Sequence, residues 1–333
     1  MKKTLLFTLL TATFVSAQTL QTEDFNSYTV GNVCTSTAGT TAGQGSYYAY
    51  NGAVTDYQIV SEGGVHDKVL QIAGPASTTP TALYLWKDGL PTLWGTRTTG
   101  NDIIEIEVDL YVGGASTSKN GHLIYLYDST GSKVLAGLRF VPETGVLAGV
   151  AYYNNAGTLN NYSFNLVTGG LTLAANSWYR IGMSYNYNTG QVLWNAPGMT
   201  GAAGVIGAAS TNVPTEIDFV ASAGTSNASS STMKWDNMTV KATSTNTLLP
   251  AQSFQAEIEV FTAFPNPTTG IINIDTPNNA EVKNMKLVDV NGRVIKTVNG
   301  FVSQLDITSL SNGVYMLTIE TATAKETKKI IKN

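Results

Sequence analysis

Apolar and polar residues alternate with a period of two through most of this chain. In IIEIEVDLYV, residues 103–112, Ile104, Ile106, Val108, Leu110 and Val112 alternate with Glu105, Glu107 and Asp109. This predicts a half-buried β-strand with three carboxylates on its outer, solvated face. HLIYLYD, residues 122–128, puts Leu123, Tyr125 and Tyr127 on one face. WYRIGMSYNYNTG, residues 178–190, puts Tyr179, Ile181, Met183, Tyr185 and Tyr187 on one face and Arg180, Gly182, Ser184 and Asn186 on the other. The Asn188-Thr189-Gly190 turn then leads into QVLW, which predicts a hairpin. No long segment repeats at 3.6 residues. Many short strands with Gly/Asn turns predict an all-β chain, its larger part an antiparallel jelly-roll β-sandwich.

The two ends depart from this pattern. MKKTLLFTLLTATFVSA opens with Lys2 and Lys3, continues with a short apolar run, and carries Val15 and Ala17 at the −3 and −1 positions before Gln18. Residues 1–17 therefore read as a secretory signal peptide, and no later stretch is long enough to span a membrane. Charge divides the remainder. Residues 18–240 hold 8 Lys/Arg against 15 Asp/Glu, whereas residues 262–333 hold 8 against 6. All five Trp and 15 of the 16 Tyr lie in the first part. The Thr/Ser-rich stretch 244–261 reads as a linker between a domain at 18–243 and one at 262–333.

Composition narrows the chemistry. Charged residues are 13% and the net charge is −4, so no basic field exists to hold nucleic acid. One cysteine and two histidines exclude Cys/His zinc sites and disulfide frameworks. Cys34 reads as a packed free thiol. Neither His66 nor His122 falls in a recognisable catalytic pairing with an acid or nucleophile in sequence.

The last segment carries ordered motifs. FPNPTTG, residues 264–270, has Pro265, Asn266, Pro267 and Gly270, and its prolines steer the chain into the strand IINID. KLVDVNGRVIKTV predicts a hairpin with Asn291-Gly292 as a type I′ turn, bordered by Asp289 and Arg293. LSNGVYMLTIET places Gly313 before a long strand with Tyr315, and Lys328 and Lys329 lie near the chain end. Six or seven strands in this length predict a small immunoglobulin-like β-sandwich. Together these stretches resemble the type A C-terminal sorting domain of the type IX secretion system of Bacteroidota. The resemblance implies recognition by the outer-membrane translocon in the periplasm. It implies removal by a sortase-like peptidase, with the cargo secreted or joined to anionic lipopolysaccharide at the outer cell surface.

The first domain resembles concanavalin A-like, laminin G-like jelly rolls through EDFNSYTVGN, IEIEVDLYV, NSWYRIGMSYNYNTGQVLW, TEIDFVASAG and MKWDNMTV. That family is mostly binding modules, with some glycoside hydrolases and lyases. One family of jelly-roll glucanases carries an E-x-D-x-x-E motif; this chain reads E-I-E-V-D at 105–109, with Glu107 at the central position in place of Asp, and lacks the final Glu. No catalytic residue is therefore assigned. The expectation is non-catalytic glycan binding or adhesion, with Glu105, Glu107, Tyr125, Tyr127 and Trp194 as candidate polysaccharide contacts. The rivals are a polysaccharide-degrading enzyme of the same fold and a structural surface protein. Trp178 is assigned to packing. The sequence assigns no definite cofactor. A calcium site is a further option, because adjacent first and last strands would bring Glu23 and Asp24 near Asp236 and Asn237.

Overall fold

The computed structural model describes residues 16–79, 81–248, 253–254, 261–276, 282–321 and 325–333. The proposed signal peptide lies almost wholly outside them. The chain forms two compact units, Met1–Phe254 and Gln255–Asn333.

The first unit is a sandwich of a ten-stranded and an eight-stranded sheet, the architecture of a jelly roll. The ten-stranded sheet centres on Ile103–Val112, flanked by Ser177–Asn186 and Ser231–Thr243. The eight-stranded sheet centres on Gly121–Tyr127, flanked by Val134–Val141 and Glu216–Ser222. Alternation decides what lies between them. Ile104, Ile106, Val108 and Leu110 meet Ile124, Leu126, Leu138 and Phe219 in one continuous core. Tyr179, Ile181, Met183 and Tyr185 join it from the neighbouring strand. The predicted hairpin is present: Met183 pairs with Trp194 and Tyr185 with Val192 across the turn, where Gly190 has φ 73°. Cys34 is buried, its thiol directed at the Tyr47 carbonyl at 3.3 Å.

The carboxylates of Ile103–Val112 are not solvated. Glu105, Glu107 and Asp109 are 1%, 4% and 4% exposed. They do face away from the core, but the chain covers them. Residues 244–248, read from sequence as linker, fold onto this face. The Thr247 hydroxyl donates to Glu105 at 2.6 Å, Asn246 donates to Ser184, and Leu248 abuts Gly182. Ser253–Phe254 adds a short strand against Trp178 and Tyr179. The first unit thus extends past residue 243, because polar side chains of the presumed linker are partners for buried carboxylates.

The second unit packs a three-stranded sheet (Thr262–Phe264, Ile271–Asp275, Gln304–Asp306) with a four-stranded one (Val294–Asn299, Val282–Asp289, Gly313–Thr321, Lys325–Lys332). This is a small immunoglobulin-like sandwich. Ile272, Ile274, Met285, Leu287, Leu317, Ile319 and Ile330 form its core. The predicted hairpin forms with a different turn. Only Gly292 has positive φ, 79°, whereas a type I′ turn needs two such residues. Gly292 N donates to the Asp289 carbonyl and Asp289 N to the Arg293 carbonyl. The Asp289 carboxylate accepts from the backbones of Asn291 and Arg293 at 3.0 Å each and from Arg293 Nε at 3.1 Å. That side chain organises a wider loop, leaving the left-handed position to Gly292 alone.

Candidate functional site

The outer face of the eight-stranded sheet carries the rings. In register across it stand Tyr48, Trp86, Asp218 and Tyr125, with Tyr50 and Tyr84 on one side of that row and Glu216 and Tyr127 on the other. Tyr48 stacks on Trp86 with centroids 5.8 Å apart and planes 22° apart. Tyr125 and Tyr127 meet edge-on at 5.6 Å. Two glycines make room. A Cβ at Gly137 would lie 2.4 Å from the Tyr125 ring, and one at Gly39 would lie 3.2 Å from Trp86.

On the ten-stranded sheet the inward Tyr57, Tyr179 and Tyr185 donate to backbone carbonyls, whereas the inward Tyr47 of the eight-stranded sheet has a buried hydroxyl without a partner among the described residues. Outward Tyr48, Tyr84, Tyr125 and Tyr127 are half-buried, and among the described residues their hydroxyls have no hydrogen-bond partner. Burial pushes Tyr125 up to about 12 and raises Tyr84 and Tyr127 as well, so all three are neutral O–H groups at pH 7.

Two carboxyls share this face. Asp218 is 4% exposed and its Oδ1 is buried without a partner. Burial, and then the neighbouring Glu216, raise Asp218 well above the carboxylate range. Glu216 is also raised, by burial. The pair therefore holds a proton, mostly on the more buried Asp218, whose O–H can donate to Glu216.

Of the sequence candidates, Tyr125 and Tyr127 stand on this face. The others stand elsewhere. Glu105 and Glu107 belong to the opposite sheet. Glu107 accepts from Lys241 at 3.0 Å and lies 3.9 Å from Arg180, which also pairs with Asp109 at 3.2 Å. These are bonded structural groups with no open side. Trp194 is 1% exposed and stacks on Phe164 at 5.6 Å inside the core, because its strand position faces inward. Trp178 packs as expected, but on the outer face, with the His66 ring 3.8 Å away. His66 Nδ1 lies 2.8 Å from Asp236, and His122 Nε2 lies 2.8 Å from Ser231 Oγ. Both partners are remote in sequence.

The calcium candidates do not converge. The first and last strands do pair, with Glu23 opposite Met238. Glu23, however, accepts from Tyr28 at 2.5 Å and from Phe25 N, and lies 3.6 Å from Lys87. Asp236 is fully buried and held by His66 and Asn237 N. Asp24 caps Asn26 N. A pocket of about 420 Å³ touches Glu23, Asp24 and Asn237, without Asp236. Among the described residues no three His, Cys, Asp or Glu side chains are grouped to hold a metal ion. Glu23 and Asp236 are taken up by protein N–H and O–H donors and point to different partners, so these residues do not form a calcium cage.

Glu216 and Asp218 escape notice in the sequence, although T-E-I-D-F-V has the same alternation as the 103–112 strand. The signal is their pairing with Tyr127 and Tyr125, which sequence does not provide.

In the second unit, the motif residues are structural joints. The Asn266 amide donates to the Lys329 carbonyl at 2.7 Å and accepts from Ile331 N at 2.9 Å, standing in for a strand partner. Gly270 abuts Thr308, where a Cβ would lie 2.6 Å from its hydroxyl. Tyr315 donates to the Ser311 carbonyl at 2.8 Å. Lys328 lies 3.3 Å from Glu326 and over the Phe261 ring.

A jelly roll followed by a small sandwich with these joints is the build of an exported cargo protein with its own address. Residues 262–333 match the family described as "Secretion system C-terminal sorting domain", and this part of the chain is a type IX sorting domain. The protein is accordingly exported to the cell surface or secreted, and its tail engages the secretion machinery. No helix of the described residues is long and apolar enough to cross a membrane. No curated protein matches the chain in sequence. Among solved structures, it is similar to the CBM2 module of the evolved Dit of Lactobacillus casei BL23 phage J-1 (10% identity, TM-score 0.42, 70% of this chain and 99% of that one). It is also similar to a GH131 beta-glucanase catalytic domain from Podospora anserina (12%, 0.40, 68% and 96%). A third is the family 7 alginate lyase A1-II′ (14%, 0.41, 60% and 85%). At these values the likenesses carry no argument about ligand or activity.

Proposed function

We propose that the jelly roll binds glycans without cleaving them, as an adhesive or capturing module outside the cell. The observation that carries this is the row of half-buried outward tyrosines with unpartnered hydroxyls around the Tyr48–Trp86 stack. Sugar rings bury C–H faces on aromatic rings and need donors and acceptors at their edges. This face offers both, and Glu105, Glu107 and Trp194 take no part. A sortase-like peptidase then releases the cargo from its tail. A cut beyond Phe254 leaves the contacts of Thr247 with Glu105 intact.

One observation favours a rival reading as a polysaccharide-cleaving enzyme: Glu216 and Asp218 are two proton-sharing carboxyls on the ring face. A glycan array with the mature chain tests the main reading. Trp86→Ala and Tyr48→Ala should each weaken binding about tenfold, since about 60 Å² of ring buried at about 25 cal/mol per Å² is about 1.5 kcal/mol. Silence across plant, algal and host glycans defeats the reading. Reducing-sugar release that vanishes in Glu216→Gln replaces it with the enzyme.

A further inference from the structure

One cation on the ring face has nothing to hold. Arg139 projects from Val134–Val141 on the same side as Tyr125, opposite Leu123 in register and one row along from the Asp218–Tyr125 row. It is half-buried, and no hydrogen bond or ion pair within the described residues engages its guanidinium. Every other arginine is engaged: Arg97 by Asp102, Arg180 by Asp109, Arg293 by Asp289. A half-buried guanidinium with no partner in the chain leaves its five donors to water or to a ligand from outside.

The surroundings are arranged for an anion. Gly121 clears space beneath Arg139: a Cβ there would lie 2.8 Å from Nε and 3.4 Å from the Ser222 hydroxyl, which also has no partner among the described residues. The carboxyls of the face are remote. At about 4.8 Å between strands and about 6.8 Å per two residues, Asp218 is roughly 12 Å and Glu216 roughly 17 Å from Arg139 between backbones. Neither carboxyl is within ion-pairing reach of the guanidinium. Burial and the neighbouring Glu216 raise Asp218, so the pair at the centre of the face carries less negative charge than two free carboxylates would.

On the reading that the ring face binds glycans, we infer that its ligand is an acidic polysaccharide, with a sugar oxyanion seated on the Arg139 guanidinium beside Ser222. A carboxylate and a sulfate ester both offer the paired oxygens that a guanidinium fork recognises. The rings hold the chain of sugars and Arg139 selects for charge.

The test is affinity electrophoresis of the mature chain at physiological salt. The gels contain polygalacturonate or alginate (carboxylates), carrageenan (sulfates), or neutral laminarin and xyloglucan. Retardation by an acidic polymer, weakened on the order of tenfold or more by Arg139→Gln and less by Arg139→Lys, is the expected result. The carboxylate and sulfate arms identify the oxyanion. Equal retardation by neutral polymers, or acidic binding that ignores Arg139→Gln yet is lost in Trp86→Ala, overturns the inference and leaves glycan binding standing. Absence of retardation by every polymer removes both. Should Arg139→Gln fail to fold, the comparison of acidic and neutral polymers on the unsubstituted chain decides.

Discussion

Glu107 separates a structural carboxylate from a ligand contact. Its side chain is about 6% exposed and lies between Lys241 at 3.0 Å and Arg180 at 3.9 Å, which are themselves only 26% and 20% exposed. Glu107→Gln keeps the shape but removes the charge, leaving Lys241 a neutral acceptor in place of its counter-ion and Arg180 with Asp109 as its one remaining ion pair and the Asn237 carbonyl as acceptor. Breaking one partner of a buried ion pair costs about 3–5 kcal/mol, because the remaining charge stays desolvated. Here both cations retain some water, so the expected loss is about 2–3 kcal/mol. For a unit of this size, about 2–4 °C of melting temperature accompany each kcal/mol, giving a fall of about 5–10 °C. Differential scanning calorimetry of the mature chain reads this from the transition of the first unit, and glycan binding is measured well below it. The expected outcome is a lowered transition with binding retained. An unchanged transition with binding abolished would refute the structural assignment and return Glu107 to the ligand site.

Other consequences can be checked in the same way. The folded value of Asp218 is raised above its ordinary 3.8, so the native state holds a proton that the unfolded chain releases. Its contribution to stability is complete below about pH 4 and declines as pH rises towards the folded value, so Asp218→Asn should raise the melting temperature at pH 8 relative to the unsubstituted chain and match it at pH 4. An identical difference at both pH values refutes this. His122 runs the opposite way: burial lowers it from 6.5 to about 3, so stability is lost as pH falls through that window, and a His122→Gln variant should be less acid-sensitive between pH 6 and 4. Asn266→Ala removes two hydrogen bonds to the last strand and should cost the second unit about 1–2 kcal/mol, with reduced surface delivery. Deleting residues 262–333 should hold the protein in the periplasm, and normal surface display of the truncation would end the sorting assignment.

Sequence by itself determined the elements and the address. A period of two assigns Ile104 to Val112 and Tyr179 to Tyr185 inward regardless of what lies beyond the strand, because side-chain direction is local geometry. The sorting motifs are contiguous runs, and Asp289 and Gly292 act on their own turn, so they too are visible in one dimension, although Asn266 and Gly270 meet partners far along the chain. Alternation says which residues leave the core and nothing about what meets them outside. Only the tertiary structure decided that Glu105 and Glu107 are covered by residues 241–247, while Tyr84, Trp86, Tyr125, Arg139, Glu216 and Asp218 share an uncovered face. That decision rests on pairings between segments up to about 130 residues apart, such as Asp218 with Tyr125 and Trp86. Likewise, the first and last strands met as anticipated, yet Glu23 and Asp236 were each captured by a nearer donor, Tyr28 and His66. The availability of a polar group depends on every neighbour the fold brings to it, and that set is a property of three dimensions.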